Sequence, residues 1–150
     1  MSAVPFLAPY PPRIIISRVE SLNCRILLVD DFQPFRELAC NLLLNHAGWI
    51  VGQASDGLEA VEKAEESKPD VILLDIGLPK LNGIEAARRI RIVSPDSKIV
   101  FVSQESSKDV IEECLRLGQG YIAKANVGRQ LLTAIEAVLQ GKEFVSPSLL

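Results

Sequence analysis

"DVILLDIGLPKLNG", residues 70–83, decides the fold. Val71, Ile72, Leu73 and Leu74 follow one another without in/out alternation, which is the signature of a strand buried on both faces, as in a parallel sheet covered by helices. The run then ends on the charged side chain of Asp75 and turns through Pro79 and Gly83. A buried strand gains no stability from such an end, so Asp75 needs another reason to be there.

Outward from this stretch, strand-like and helix-like segments alternate. "CRILLVD" (24–30), "WIVGQAS" (49–55), "KIVFVS" (98–103) and "GYIAK" (120–124) read as further strands. Between and after them, "QPFRELACNLLLNHAG" (33–48), "GLEAVEKAEES" (57–67), "GIEAARRIRIVS" (83–94), "SSKDVIEECLRLG" (106–118) and "VGRQLLTAIEAVLQG" (127–141) read as amphipathic helices. The first should bury Phe35, Leu38, Leu42 and Leu43 on one side. Ser106 should cap the fourth, and Gly141 should close the fifth. The expected fold class is α/β, a doubly wound five-stranded parallel sheet with helices on both faces.

In such a sheet, functional groups gather outside the carboxyl ends of the strands, near the point where strand order reverses. The first strand ends in Asp30 and Asp31, the third in Asp75, the fourth in Ser103 and the fifth in Lys124. A single Asp after a strand is usually a turn or capping residue, but here four strand ends converge on one rim. Three carboxylates repel one another strongly unless cations join them. Lys124 supplies one positive charge, and Mg²⁺, a hard ion with oxygen ligands that often meets phosphate, would supply the rest.

Composition narrows the function classes. With 150 residues and 48% hydrophobic content, one well-buried domain is expected. The net charge of −3 comes from 16 basic and 19 acidic residues without a long run of either sign, so no nucleic-acid footprint or membrane patch is expected. Cys24, Cys40 and Cys114 are widely spaced and accompanied by one histidine, His46, so neither a disulfide framework nor a zinc site is readable. Buried free thiols and a cytoplasmic location follow as expectations. Residues 1–23 carry Pro5, Pro9, Pro11 and Pro12 and read as an N-terminal extension, either an irregular leader or an arm whose "RIIIS" packs on the domain or a neighbouring chain.

Together, "ILLVDD", "DVILLDIGLP" followed by "NG", "KIVFVS" and "GYIAK" resemble the receiver domains of two-component response regulators, over roughly Arg25 to Gly141. The resemblance implies a (βα)5 flavodoxin-like receiver fold over residues 24–141. It makes Asp75 the acceptor of a phosphoryl group from a sensor histidine kinase or phosphotransfer protein. Asp31 and Asp75, with the backbone carbonyl of Gly77, would bind Mg²⁺ directly, and Asp30 mainly through a water. Ser103 matches the hydroxyl that bonds the phosphoryl oxygen, Lys124 the lysine that pairs with it, and Tyr121 the aromatic switch position. Phosphorylation would draw Ser103 inward and let Tyr121 rotate toward the core, changing the face of helix four, strand five and helix five. Enzymatic work would be limited to self-phosphotransfer and autodephosphorylation. Gln104 is bulkier than the residue many receivers carry there, which implies narrower access to the acceptor.

Ala125 and the stretch "LLTAIEAVLQGKEFVSPSLL" look most like receivers of the LuxR/NarL-type group, whose chains continue into a DNA-binding helix-turn-helix and regulate transcription. Residues 142–150 would be a C-terminal tail or the start of a linker, too short for a helix-turn-helix, so no nucleic-acid contact is expected within this chain. The chain is then a stand-alone receiver or, as the tail favours, a fragment. A homodimer is left open and no membrane partner is expected. Two other readings compete. A Mg²⁺-dependent aspartyl-phosphate phosphatase would want a second Asp two residues past Asp75, where Gly77 stands, and a degenerate receiver acting as a phosphorylation-independent binding module would have lost one of the residues above.

Overall fold

A computed structural model describes residues 24–46 and 49–150. The sequence-based expectations for residues 1–23 lie outside the described residues. Strands β1 (Arg25–Val29), β2 (Ile50–Ala54), β3 (Val71–Leu74), β4 (Lys98–Ser103) and β5 (Gly120–Ala123) alternate with helices α1 (Gln33–Leu44), α2 (Gly57–Ser67), α3 (Gly83–Val93), α4 (Lys108–Leu117) and α5 (Val127–Leu139). A sixth strand, β6 (Phe144–Val145), follows, and the sheet runs in the order β2-β1-β3-β4-β5-β6 with every pairing parallel. The doubly wound α/β class is therefore as expected, with one strand more than the five read from the sequence. Residues 142–150, read as tail or linker, supply that strand.

The continuous apolar strands are explained by two cores, one on each face. Ile26, Leu28, Val71 and Leu73 pack with Phe35 and Leu43 of α1 and Leu131, Ile135 and Val138 of α5. Leu27, Val29, Ile72 and Leu74 pack against Ala60 and Ala64 of α2, Ile90 of α3 and Cys114 of α4. Adjacent residues of one strand thus enter opposite cores, each buried apolar side chain contributing about 1.5–3 kcal/mol. The three cysteines are buried among these side chains.

Local signals hold with two corrections. Asp56 and Asn82 cap α2 and α3 by accepting the Glu59 and Glu85 amides. Gly141, at φ 82°, ends α5: its N–H reaches the Val138 carbonyl while that of Lys142 reaches Ala137. Ser106, however, does not cap α4; the residue at that place is Ser107, whose side chain makes no capping bond. Leu38 is 51% exposed, because α1 turns Ala39 and Cys40 inward instead.

Strand order reverses between β1 and β3, both of which lie inside the sheet. Their carboxyl ends are adjacent, with Val29 opposite Leu74 and the Asp75 N–H donating to the Val29 carbonyl at 3.1 Å. The residues that follow, Asp30, Asp31 and Asp75, are thereby delivered to one place.

Candidate functional site

Asp30 is buried and held from three sides. Its Oδ1 accepts the Phe32 N–H at 2.8 Å, its carbonyl accepts from Arg36 Nη1 at 2.7 Å, and its Oδ2 stands 2.6 Å from Lys124 Nζ. Asp31, by contrast, is exposed at the mouth. Asp75 is 8% exposed, and its Oδ1 accepts the Ile76 N–H at 2.8 Å. The side chains of Asp30, Asp31 and Asp75 each place an oxygen so that all lie within 4.8 Å of one another.

One ammonium serves this cluster. Lys124 Nζ lies 3.7 Å from Asp75 Oδ2, and it also sits 4.4 Å above the centre of the Phe35 ring. Burial and the neighbouring Asp30 hold the Asp75 carboxyl above its ordinary pKa, against the pull of Lys124 and of the Ile76 and Gly77 backbone N–H groups. Asp30 Oδ2 is engaged by the Lys124 ammonium at 2.6 Å. Three hard oxygen donors and a residual negative charge fit a divalent cation of the Mg²⁺ kind.

The loop carrying Asp75 is set by two glycines. A Cβ on Gly83 would come 2.0 Å from the Asp75 carbonyl oxygen, and one on Gly57 would come 1.9 Å from that of Leu81. Only hydrogen fits at either place, so the N-termini of α2 and α3 clamp residues 76–82 from both sides. Gly77 meets nothing within 4 Å at its Cβ position and lines the open hollow above Asp75.

Ser103 is buried at the end of β4, where its Oγ accepts the Glu105 N–H at 3.0 Å. Tyr121 is fully buried, and its hydroxyl donates to the Glu105 carbonyl at 2.6 Å. The sequence reading had Tyr121 rotating inward on phosphorylation; here it is inside already, beside Phe101 at a ring distance of 6.4 Å. Burial pushes its phenol up to about 12, so it is a proton donor throughout the neutral range.

Asp31, Asp75, Gly77, Ser103 and Lys124 line one hollow, with Asp30 buried against Lys124 and Tyr121 buried with its hydroxyl on Glu105 of the wall. Sequence reasoning gave no site role to Phe35, Arg36, Gly83 or Leu149. The "NG" at 82–83 was a usable signal for Gly83, since an N-cap followed by glycine marks a close approach. Phe35 and Arg36 read as ordinary helix positions, and nothing near Leu149 points to the rim. Trp49 lies at the opposite end of the sheet, stacked on His46 at 4.1 Å, and so is no reporter of events at the rim.

An acidic triad and a lysine at the switch point of a doubly wound parallel sheet define a receiver of two-component signalling. The chain belongs to the response regulator receiver domain family, which matches residues 26–136. It is similar to the transcriptional regulatory protein DegU of Brevibacillus brevis, 34% identical over 132 residues that make up 87% of this chain and 56% of DegU. It is also similar to the chemotaxis protein CheY of Thermotoga maritima, 33% identical over 116 residues, 76% of this chain and 96% of CheY. A LuxR-family two-component response regulator from Aurantimonas superposes with a TM-score of 0.80 at 32% identity, covering 85% of this chain and 92% of that one. Relatives thus include LuxR/NarL-type response regulators, and the chain spans a little over half the length of the curated transcriptional regulators it matches. No helix among the described residues is long and apolar enough to cross a membrane.

Proposed function

We propose that this chain is a phospho-accepting receiver in which Asp75 takes a phosphoryl group from a histidine kinase or phosphotransfer protein. The reading rests above all on one observation: a buried carboxylate with Lys124 at 3.7 Å and two further carboxylates within reach. A carboxylate oxygen of Asp75 attacks phosphorus in line, the bond from phosphorus to the donor nitrogen breaks, and the imidazole leaves. Such a transfer needs positioning and charge neutralisation more than a strong acid or base.

Asp31, Asp75 and the Gly77 carbonyl would hold Mg²⁺ directly, with Asp30 reaching it through a water. The ion, when bound, supplies positive charge to the phosphoryl oxygens. Lys124 supplies the remainder, Ser103 offers its hydroxyl to a phosphoryl oxygen, and the burial and Asp30 charge that raise the Asp75 pKa support a site that takes added positive charge. The chain's chemistry is confined to its own phosphorylation and dephosphorylation. Its output, in the cytoplasm, is a change on the face of α4, β5 and α5. Ser103, at the end of β4, is joined through Glu105 to Tyr121 of that face.

The test is intact mass after incubation with Mg²⁺ and acetyl phosphate. One added phosphoryl group is expected, absent in Asp75→Asn and absent when the metal is chelated. An unchanged wild-type mass would overturn this reading and favour a phosphorylation-independent binding module.

A further inference from the structure

The match to the receiver family ends at residue 136, yet the hollow above Asp75 is walled in part by Leu149. The segment that carries Leu149 is fastened at several points. β6 pairs with β5, Gly120 opposite Phe144 and Tyr121 opposite Val145, and the Ser146 N–H donates to the Tyr121 carbonyl at 3.0 Å. A two-residue edge strand holds little by itself. Side chains add the rest: Ser146 is fully buried, its Oγ accepting the Ala123 N–H at 3.0 Å and bonding Gln130 Oε1, while Asn126 Nδ2 donates to Ser148 Oγ at 3.0 Å.

Ala123 and Asn126 bracket Lys124. The tail therefore grips the backbone immediately before the lysine and the side chain two residues after it, and then lays Leu149 against the hollow that both share with Asp75. We propose that residues 144–149 are a working part of the phosphorylation site, with Ser146 and Ser148 as positioning residues for Lys124 and Leu149 as an apolar wall. The inference rests on the reading of Asp75 as acceptor.

The wall bears on how long the phosphoryl group stays. Its loss requires a water oxygen to attack phosphorus as the bond to the Asp75 oxygen breaks, which restores the carboxylate and releases inorganic phosphate with the two water hydrogens. An apolar side chain at the mouth limits where that water can stand. The same contact ties the tail, from which any following segment would depart, to the occupancy of the acceptor.

The experiment uses the full chain, phosphorylated with acetyl phosphate and Mg²⁺, freed of donor, and followed by intact mass over time. Leu149→Ala should shorten the phosphoryl lifetime about threefold or more, Leu149→Met should restore it, and Leu150→Ala, whose side chain is 91% exposed, should match wild type. Ser146→Ala, which leaves the Ala123 N–H without its acceptor, should slow phosphorylation roughly two- to tenfold. Should that variant fail to fold, Leu149→Ala, altering a half-exposed side chain, carries the test alone. A Leu149→Ala lifetime equal to wild type overturns the inference while leaving the acceptor reading intact, because wild type and variant are then both phosphorylated. A wild-type chain that takes up no phosphoryl group overturns both.

Discussion

Lys124 stands 2.6 Å from Asp30 but 3.7 Å from Asp75, so the site's ammonium leans on the buried member of the acidic pair and not on the acceptor. Asp75 is left with more negative charge around it than one lysine neutralises. A phosphoryl group arriving there adds further charge and would draw Lys124 across the short gap.

The first consequence is a pH dependence. The Asp75 carboxyl titrates above its ordinary value, so the folded chain binds that proton more tightly than the unfolded chain does. Stability without divalent cations should then fall as pH rises from the ordinary aspartate value through the raised one, and level off above it. Asp75→Asn should remove that fall and be the more stable protein at neutral pH, read from urea unfolding in chelator. A wild-type curve parallel to that of the variant would contradict the assignment of Asp75 as the strained carboxylate.

Metal binding should divide the acidic pair. Asp30 is already occupied by Lys124 and the Phe32 N–H, whereas Asp31 is exposed beside Asp75. Asp31→Ala should therefore weaken Mg²⁺ binding more than Asp30→Ala, because a direct ligand to a hard ion matters more than one acting through water. Calorimetry is the readout. Equal losses would reverse the roles given to the pair.

Glycine substitutions should separate clamp from hollow. Gly83→Ala forces a methyl against the Asp75 carbonyl and should cost about 2–4 kcal/mol, with phosphorylation by acetyl phosphate falling further than the lost stability accounts for. Gly77→Ala, with open space around its Cβ position, should stay within about 1 kcal/mol of wild type. Chemical denaturation of the two variants compares them directly.

Tyr121 predicts an alkaline limit. Its folded pKa of about 12 exceeds the unfolded value of about 10, so its contribution is complete below the unfolded value and is lost as pH climbs through the folded one. Tyr121→Phe should lack this component, on the order of 2 kcal/mol, when unfolding free energy is compared between the two ends of that window. If both proteins lose stability in parallel, the buried phenol is not responsible.

Ser103, which lines the hollow together with Asp75, is joined to that phenol through Glu105. With beryllium fluoride as phosphoryl mimic, amide exchange should change over α4, β5 and α5 and stay near its resting level in α2. Ser103→Ala should lose this response and keep its Mg²⁺ binding. A response on α1, or a Ser103→Ala protein that behaves like wild type, would mean the signal leaves by another route.

How far the sequence reached can be seen in single residues. Asp30, Asp31, Asp75, Ser103 and Lys124 were legible because each ends a continuous apolar run, and a parallel sheet with helical crossovers has only one rim where such ends can meet. Leu38 was misread because it and Cys40 stand about 200° apart on the helix, so burying Cys40 beside Ala39 and Leu43 turns Leu38 outward. Ser106 failed because two adjacent serines offer the same capping chemistry, and a one-residue shift in where α4 begins is below what local pattern resolves.

The sequence by itself determined the α/β class, the site's chemical inventory and the family, since hydrophobic period and strand-end chemistry are local properties written along the chain. Tertiary structure alone decided that Lys124 leans on Asp30, that Phe35 lies under that ammonium, that Tyr121 is already inside, and that residues 144–149 return to the sheet and bring Leu149 to the acceptor's hollow. A two-residue strand has no periodicity to read, and a partner choice made across 94 positions, as between Asp30 and Lys124, depends on how whole elements are packed and not on the residues that flank either side chain.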